Sequence, residues 1–219
     1  MLYWYNRFSS FYWIQIIALS IVVNVDNYIV EMANFNSFVD KLDMEFWHEI
    51  CAKNGKLCHY KKGEYFVQQG DVIRYMGIVK EGYFKYVVTD LKENEHITGL
   101  ALPGEFVGDY LSTTYKTPCM TSLVASTNAE VLVCNCEVLN KVFDEDRELH
   151  QQLSDLLFHD VYKRYLDMHR FSPKERYIDL LKRCPDILQN ISIKEIASFL
   201  NVTPTYLSCI RKEITFENK

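Results

Sequence analysis

The chain has 219 residues, 48% apolar and 14% aromatic, and a formal net charge of −5. That composition supports a buried core and excludes a disordered tail, while the length allows one large domain or two modest ones. The net charge argues against a generic polyanion binder, and seven cysteines with no C-x-x-C pair fit reduced cytoplasmic thiols better than a disulfide framework.

Taken from the start, Phe11–Val25 is an apolar run, shorter than the roughly 20 residues a spanning helix needs. It lacks the basic start and small-residue cleavage site of a signal peptide. Residues 1–31 therefore read as an apolar extension outside the fold, with translation starting at Met32 as the simplest account and a membrane anchor as the alternative. The sequence after Met32 leads into an amphipathic helix. From about Lys56 to Cys136, short β-branched and aromatic runs alternate with turn residues. Tyr65–Val67 precedes Gly70-Asp71, Tyr75–Lys80 precedes Glu81-Gly82, and Tyr83–Thr89 precedes a polar stretch. His96–Leu102 ends at Pro103-Gly104, and Ser122–Ser126 and Ala129–Cys134 follow. This spacing predicts a sandwich, barrel or jelly roll.

Past Val138 the period changes. No Gly or Pro interrupts Asp144–His169, and apolar residues recur at three- and four-residue steps. The pattern predicts a helix of about 25 residues, roughly 37 Å long. Leu149, Leu153, Leu156, Leu157 and Val161 form its expected homodimer seam.

Three helix starts follow. Ser172-Pro173-Lys174-Glu175 and Ser192-Ile193-Lys194-Glu195 are S-x-x-E capping boxes, and Thr203-Pro204 supplies a cap and a first-turn proline. Asn201-Val202 separates two short helices, which defines a helix-turn-helix. Ile193, Ile196, Ala197 and Leu200 line the inner face of the first, and Val202, Leu207 and Ile210 that of the second. Thr203, Thr205, Tyr206, Ser208 and Cys209 face outward, with Arg211 and Lys212 after them. Short polar residues near a helix start suit base edges, and basic residues suit phosphates. From Ser172 to Lys219 there are eight Lys/Arg against six Asp/Glu in an otherwise acidic chain, a local bias toward an anionic partner.

These motifs, in this order, resemble the Crp/Fnr family of transcription regulators. Lys62–Asp71 is similar to the K-G-x-x-(L/F/I)-x-x-x-G-D turn of cyclic-nucleotide-binding rolls, and Gly77–Gly82 resembles the next hairpin. Pro103–Asp109 resembles the start of the phosphate-binding cassette, Ala125–Val133 the strand after it, and Ile191–Ile214 the DNA-binding helices. The resemblance implies an effector pocket at Gly108, Asp109, Tyr110, Cys119 and Met120. It also exposes two departures. The arginine that holds the cyclic phosphate in nucleotide-binding members falls at Cys119, and no arginine stands between Arg74 and Arg147. A thiol offers no bidentate fork for a phosphate, so cyclic AMP is not expected to bind and the effector is another small molecule or none. Cys209 likewise stands where the family often carries a guanine-reading arginine, so Thr205, Tyr206, Ser208 and Arg211 become the expected base readers.

Other chemistries find little support. The six histidines form no H-x-H pair or H-E-x-x-H helix, and there is no G-x-S-x-G or glycine-rich phosphate loop. The expectation is a cytoplasmic non-enzyme without metal or cofactor. It is of the α+β class: an N-terminal antiparallel β-roll (jelly-roll, cyclic-nucleotide-binding-like) over 32–143, a dimerisation helix over 144–171, and a C-terminal winged-helix-like helix-turn-helix over 172–219. Its expected partners are double-stranded DNA with a palindromic operator, a second copy of the chain and, for an activator, RNA polymerase. The alternative is a sensory or scaffold module acting by protein–protein contact, which salt dependence separates from DNA binding.

Overall fold

The computed structural model describes residues 35–217; the apolar extension over 1–31 and the proposed start at Met32 lie outside them. Helix α1 (Met44–Asn54) starts where the Asp43 carboxylate accepts the Phe46 N–H, and it buries Trp47 and Cys51. Eight strands follow: β1 (Gly55–Tyr60), β2 (Tyr65–Val67), β3 (Tyr75–Glu81), β4 (Phe84–Thr89), β5 (Glu95–Ala101), β6 (Phe106–Val107), β7 (Ser122–Ala125) and β8 (Ala129–Asn135). They form two antiparallel sheets, ordered β1-β8-β3-β6 and β2-β7-β4-β5.

The roll is filled by its own side chains. Val67, Val79, Phe84, Leu123 and Val131 are buried between the sheets, and the rings of Tyr60, Phe66 and Phe84 pack with centroids 5.4–6.0 Å apart. Successive strand residues point to opposite faces, so Ile78 belongs to a second cluster with Trp47, Cys134, Leu139, Phe143 and Leu153. Because β3 is covered on both faces, its sequence is continuously apolar around Ile78-Val79 instead of alternating. The β3–β4 turn requires Gly82: its φ is +72°, and a Cβ there would lie 2.3 Å from the Asn128 carbonyl oxygen.

The long helix differs from the expectation in one respect. It does not run unbroken from Asp144 but divides into α3 (Cys136–Glu145) and α4 (Arg147–Arg170) at Asp146. The Asp146 carboxylate accepts the Leu149 N–H at 2.9 Å, capping α4. Aspartate makes this bond only outside helical geometry, so it ends one helix as it starts the next. The boundary placed at 143/144 thus falls within α3. A short helix, α2 (Tyr110–Tyr115), lies between β6 and β7.

The C-terminal head holds α5 (Pro173–Arg183), α6 (Ile187–Asn190), α7 (Ile193–Phe199) and α8 (Pro204–Glu217). Both capping boxes form, with each serine taking the N3 N–H and each glutamate reaching back to the cap. Among the described residues there is no strand after β8, so the winged part of the expected head does not occur there. The stretch between α5 and α7 folds instead as α6, which buries Ile187.

The head packs on the outer face of β4 and β5. Tyr83, Val87, Ile97 and Leu100 share one apolar cluster with Tyr177, Leu180, Ile187, Ile196, Leu207 and Ile210. Two directed bonds fix the contact: the Tyr83 hydroxyl donates to Glu195 Oε2 at 2.9 Å, and the Ile97 N–H donates to Ser198 Oγ at 3.0 Å. Burial and the Glu195 carboxylate raise the Tyr83 hydroxyl above its ordinary pKa, which keeps it a donor.

Candidate functional site

The head presents α8 through a tight turn. After α7, Asn201 adopts a left-handed conformation with φ 56°, one asparagine tolerates better than most residues. The Val202 N–H then closes onto the Ala197 carbonyl at 2.9 Å. Ile196, Ala197, Leu207 and Ile210 are at most 1% exposed, so α7 and α8 lock through a dry contact that the small Ala197 permits. On the other side Thr203, Thr205, Tyr206, Ser208, Cys209, Arg211 and Lys212 are all exposed. Their roles are unequal. The Thr203 hydroxyl accepts the Tyr206 N–H, acting as the helix cap, and the Ser208 hydroxyl donates to the Pro204 carbonyl. Arg211 lies beside the Tyr177 hydroxyl, whereas Thr205, Tyr206 and Cys209 present side chains to solvent.

The five residues of the expected effector cassette do not all face one pocket. A Cβ at Gly108 would lie 2.6 Å from Met76 Cγ, so Met76 already fills the approach. The Tyr86 hydroxyl donates to the Gly108 carbonyl at 3.1 Å and accepts the Gly108 N–H at 3.4 Å. Asp109 accepts the Ser112 N–H at 2.8 Å, capping α2, and Tyr110 bonds Ser154 of α4 at 2.5 Å. Cys119 is 2% exposed within the roll core, and Met120 is 64% exposed. Burial raises the Cys119 thiol above its ordinary value. Gly108 and Tyr110 border a crevice between the roll and α4, whereas Cys119 points into the roll core and Met120 outward; the five do not line one cavity.

The helix α4 has two apolar faces. Leu149, Leu153 and Leu157 pack on this chain's own α1, α3 and β-sheet cluster, with Leu153 only 8% exposed. Of the residues expected at the seam, Leu153 is thus covered by its own chain, while Leu149, Leu156 and Leu157 are half-buried. Val161 remains open at 65%, and with Phe158, Tyr162, Tyr165 and Met168 it forms an exposed stripe at helical spacing. Both stripes were present in the sequence. The leucines gave the stronger heptad signal, but periodicity alone does not say which apolar face its own sheet covers.

A buried polar network, absent from the sequence reading, joins the parts. Glu105 is fully buried and accepts bonds from the Asn36 N–H, the Asn36 amide and the Leu102 N–H at 2.7–3.0 Å. Burial raises its carboxyl against the pull of those donors and of Arg164. Arg164 of α4 donates to Asn36 Oδ1 at 2.8 Å, pairs with Asp160 at 2.9 Å and lies over the Phe35 ring. Arg183 of α5 donates to the Phe35 carbonyl. Only the three-dimensional fold brings residues so distant in sequence together.

Among the described residues, no group of three or more His, Cys, Asp or Glu is placed to hold a metal ion, and no helix is long and apolar enough to cross a membrane.

A two-sheet roll, a long helix and a helix-turn-helix head make up the architecture, and the chain is Crp/Fnr-like in this fold. Residues 57–146 match the family model of the cyclic nucleotide-binding domain. Three solved structures share the architecture. FixK2 from Bradyrhizobium japonicum aligns with a TM-score of 0.64 at 15% identity, over 75% of this chain and 86% of that one. A putative cAMP-binding regulatory protein from Silicibacter pomeroyi aligns at 0.59 and 18%, over 80% and 82%. The c-di-GMP-responsive global regulator CLP of Xanthomonas campestris aligns at 0.57 and 17%, over 80% and 93%. At these identities the likeness establishes the fold. No curated protein matches the sequence.

Proposed function

We propose that this chain is a dimeric, DNA-binding transcription regulator whose roll no longer takes a cyclic nucleotide. The observation that carries the reading is α8: its inner face is locked on α7 by Leu207 and Ile210, while its outer face offers Thr205, Tyr206, Arg211 and Lys212 to a partner. A helix held this rigidly, with polar residues first and cations after, suits the major groove. Two copies joined along α4 would read a palindrome with half-sites about 34 Å apart. The resemblance to nucleotide-binding rolls does not extend to their ligand, because Tyr86, Met76 and Asp109 already use the groups around Gly108 and no guanidinium stands at position 119.

The test is operator selection on randomised DNA, repeated across salt concentrations. Lys212→Ala should weaken all sequences alike and lower the salt slope by about one. Thr205→Ala or Tyr206→Ala should relax preference at one or two positions, at about 1–3 kcal/mol each. Wild-type protein that selects no sequence and shows no salt dependence would replace this reading with that of a protein-contact module.

A further inference from the structure

The roll, α4 and the head enclose a crevice of about 1110 Å³, at the upper end of the size range of small-molecule sites. Phe35, Tyr86, Phe106, Phe143 and Phe199 stand among its walls, and α5 contributes Arg176. The Arg176 Nε is buried without a hydrogen-bond partner. Burial lowers its guanidinium from the ordinary value, and no carboxylate acts against that shift. Of the other charged groups lining the crevice, Arg164 pairs with Asp160, Lys163 with Asp167 and Glu175 with the Ser172 cap; Asp179, Lys182 and Arg183 line it too, and none of them bonds the Arg176 Nε. A partly buried guanidinium whose Nε lacks a hydrogen-bond partner carries a desolvation cost that a bound anion would offset. DNA phosphate is a poor candidate for that anion, because no residue from Val202 onward lines the crevice.

The geometry points to this crevice, which Gly108 and Tyr110 border, as the effector site, taking an anionic molecule with an apolar body: a carboxylate on an aromatic or aliphatic frame, its charge on Arg176. The word effector rests on the regulator reading above; the binding itself does not. An occupant would touch the roll, α4 and α5 together, and would also meet Val161, Tyr165 and Met168 of the exposed stripe. It would thereby act on both the docking of the head and the pairing of α4, provided it favours one arrangement over the other.

Calorimetry on the full chain without DNA tests the site, using 2-naphthoate and decanoate against uncharged 2-naphthamide and decanol. At least one carboxylate should bind once per chain, with an affinity at least about tenfold above that of its uncharged counterpart. Arg176→Ala should abolish that preference and leave binding of the uncharged molecule unchanged, and Arg176→Lys should restore part of it. Thermal melting checks that both variants fold. The inference is overturned if neither carboxylate saturates below about 1 mM, or if the preference for charge survives Arg176→Ala. Operator affinity is measured separately. Carboxylate binding without DNA binding would remove the regulator reading and keep the site; DNA binding without carboxylate binding would do the reverse.

Discussion

Placing two aspartates on the exposed stripe of α4 should separate the dimer, whereas truncating the buried leucine face should not. Val161 and Tyr165 are 65% and 53% exposed in the single chain, and Leu153 is 8% exposed beside Leu139, Phe143 and Trp47. A carboxylate buried without a partner in a two-fold seam costs about 3–5 kcal/mol, roughly a hundred- to several-thousand-fold in the dimer dissociation constant. Val161→Asp with Tyr165→Asp should therefore sediment as monomer at micromolar concentration, where the wild type sediments as dimer. Leu153→Ala should instead leave a cavity in the chain's own core at about 2–5 kcal/mol. For a chain of this size that lowers the melting midpoint by about 4–20 °C, with the dimer retained below the transition. Two results would refute the reasoning: a double aspartate variant that stays dimeric, or a Leu153→Ala protein that turns monomeric with an unchanged melting point.

Other consequences can be checked independently. Cys209 is the exposed cysteine, whereas burial pushes the Cys51 thiol up to about 12 and the Cys184 thiol up to about 11; iodoacetamide should label Cys209 first, and selected operator DNA should slow that reaction, since thiolate access governs it. Cyclic AMP should give no saturable heat of binding. Cys119→Arg should not restore a phosphate fork but destabilise the roll, because position 119 is 2% exposed in its core and a cation there is buried without a partner; stability equal to wild type with micromolar cyclic AMP binding would contradict both statements. For Glu195, burial raises the carboxyl, but bonds from Ser192 and Tyr83 outweigh it and leave the pKa below the ordinary value. A depressed carboxylate stabilises the fold above its unfolded value, about 4.3, and loses that contribution as pH falls through the folded one. Wild type should thus lose stability more steeply than Glu195→Gln on acidification below that point, and parallel curves would rule out the Tyr83–Glu195 clasp as a stabilising contact.

Local chemistry was legible in the sequence alone. The capping boxes at Ser172 and Ser192 and the turn at Asn201-Val202 rest on bonds between residues a few positions apart, and the strands near Tyr65, Tyr75 and Ala129 were legible from residue type and turn punctuation although their ladder partners are distant; each formed where the pattern put it. The break at Asp146 was also local, but an aspartate in an otherwise helical run does not reveal whether its side chain faces solvent or caps the next helix. Tertiary structure decided everything that depends on which surface meets which. Leu153 and Tyr165 lie on one helix and are both apolar, yet only packing against Phe143 and Trp47 buries the first and leaves the second exposed. Gly108 and Asp109 carry a motif of nucleotide-binding rolls, but Tyr86 and Met76, 22 and 32 positions earlier, occupy the space around them. Periodicity and capping are properties of neighbours along the chain, whereas closure of a pocket and choice of a seam depend on contacts that exist only once distant segments have packed.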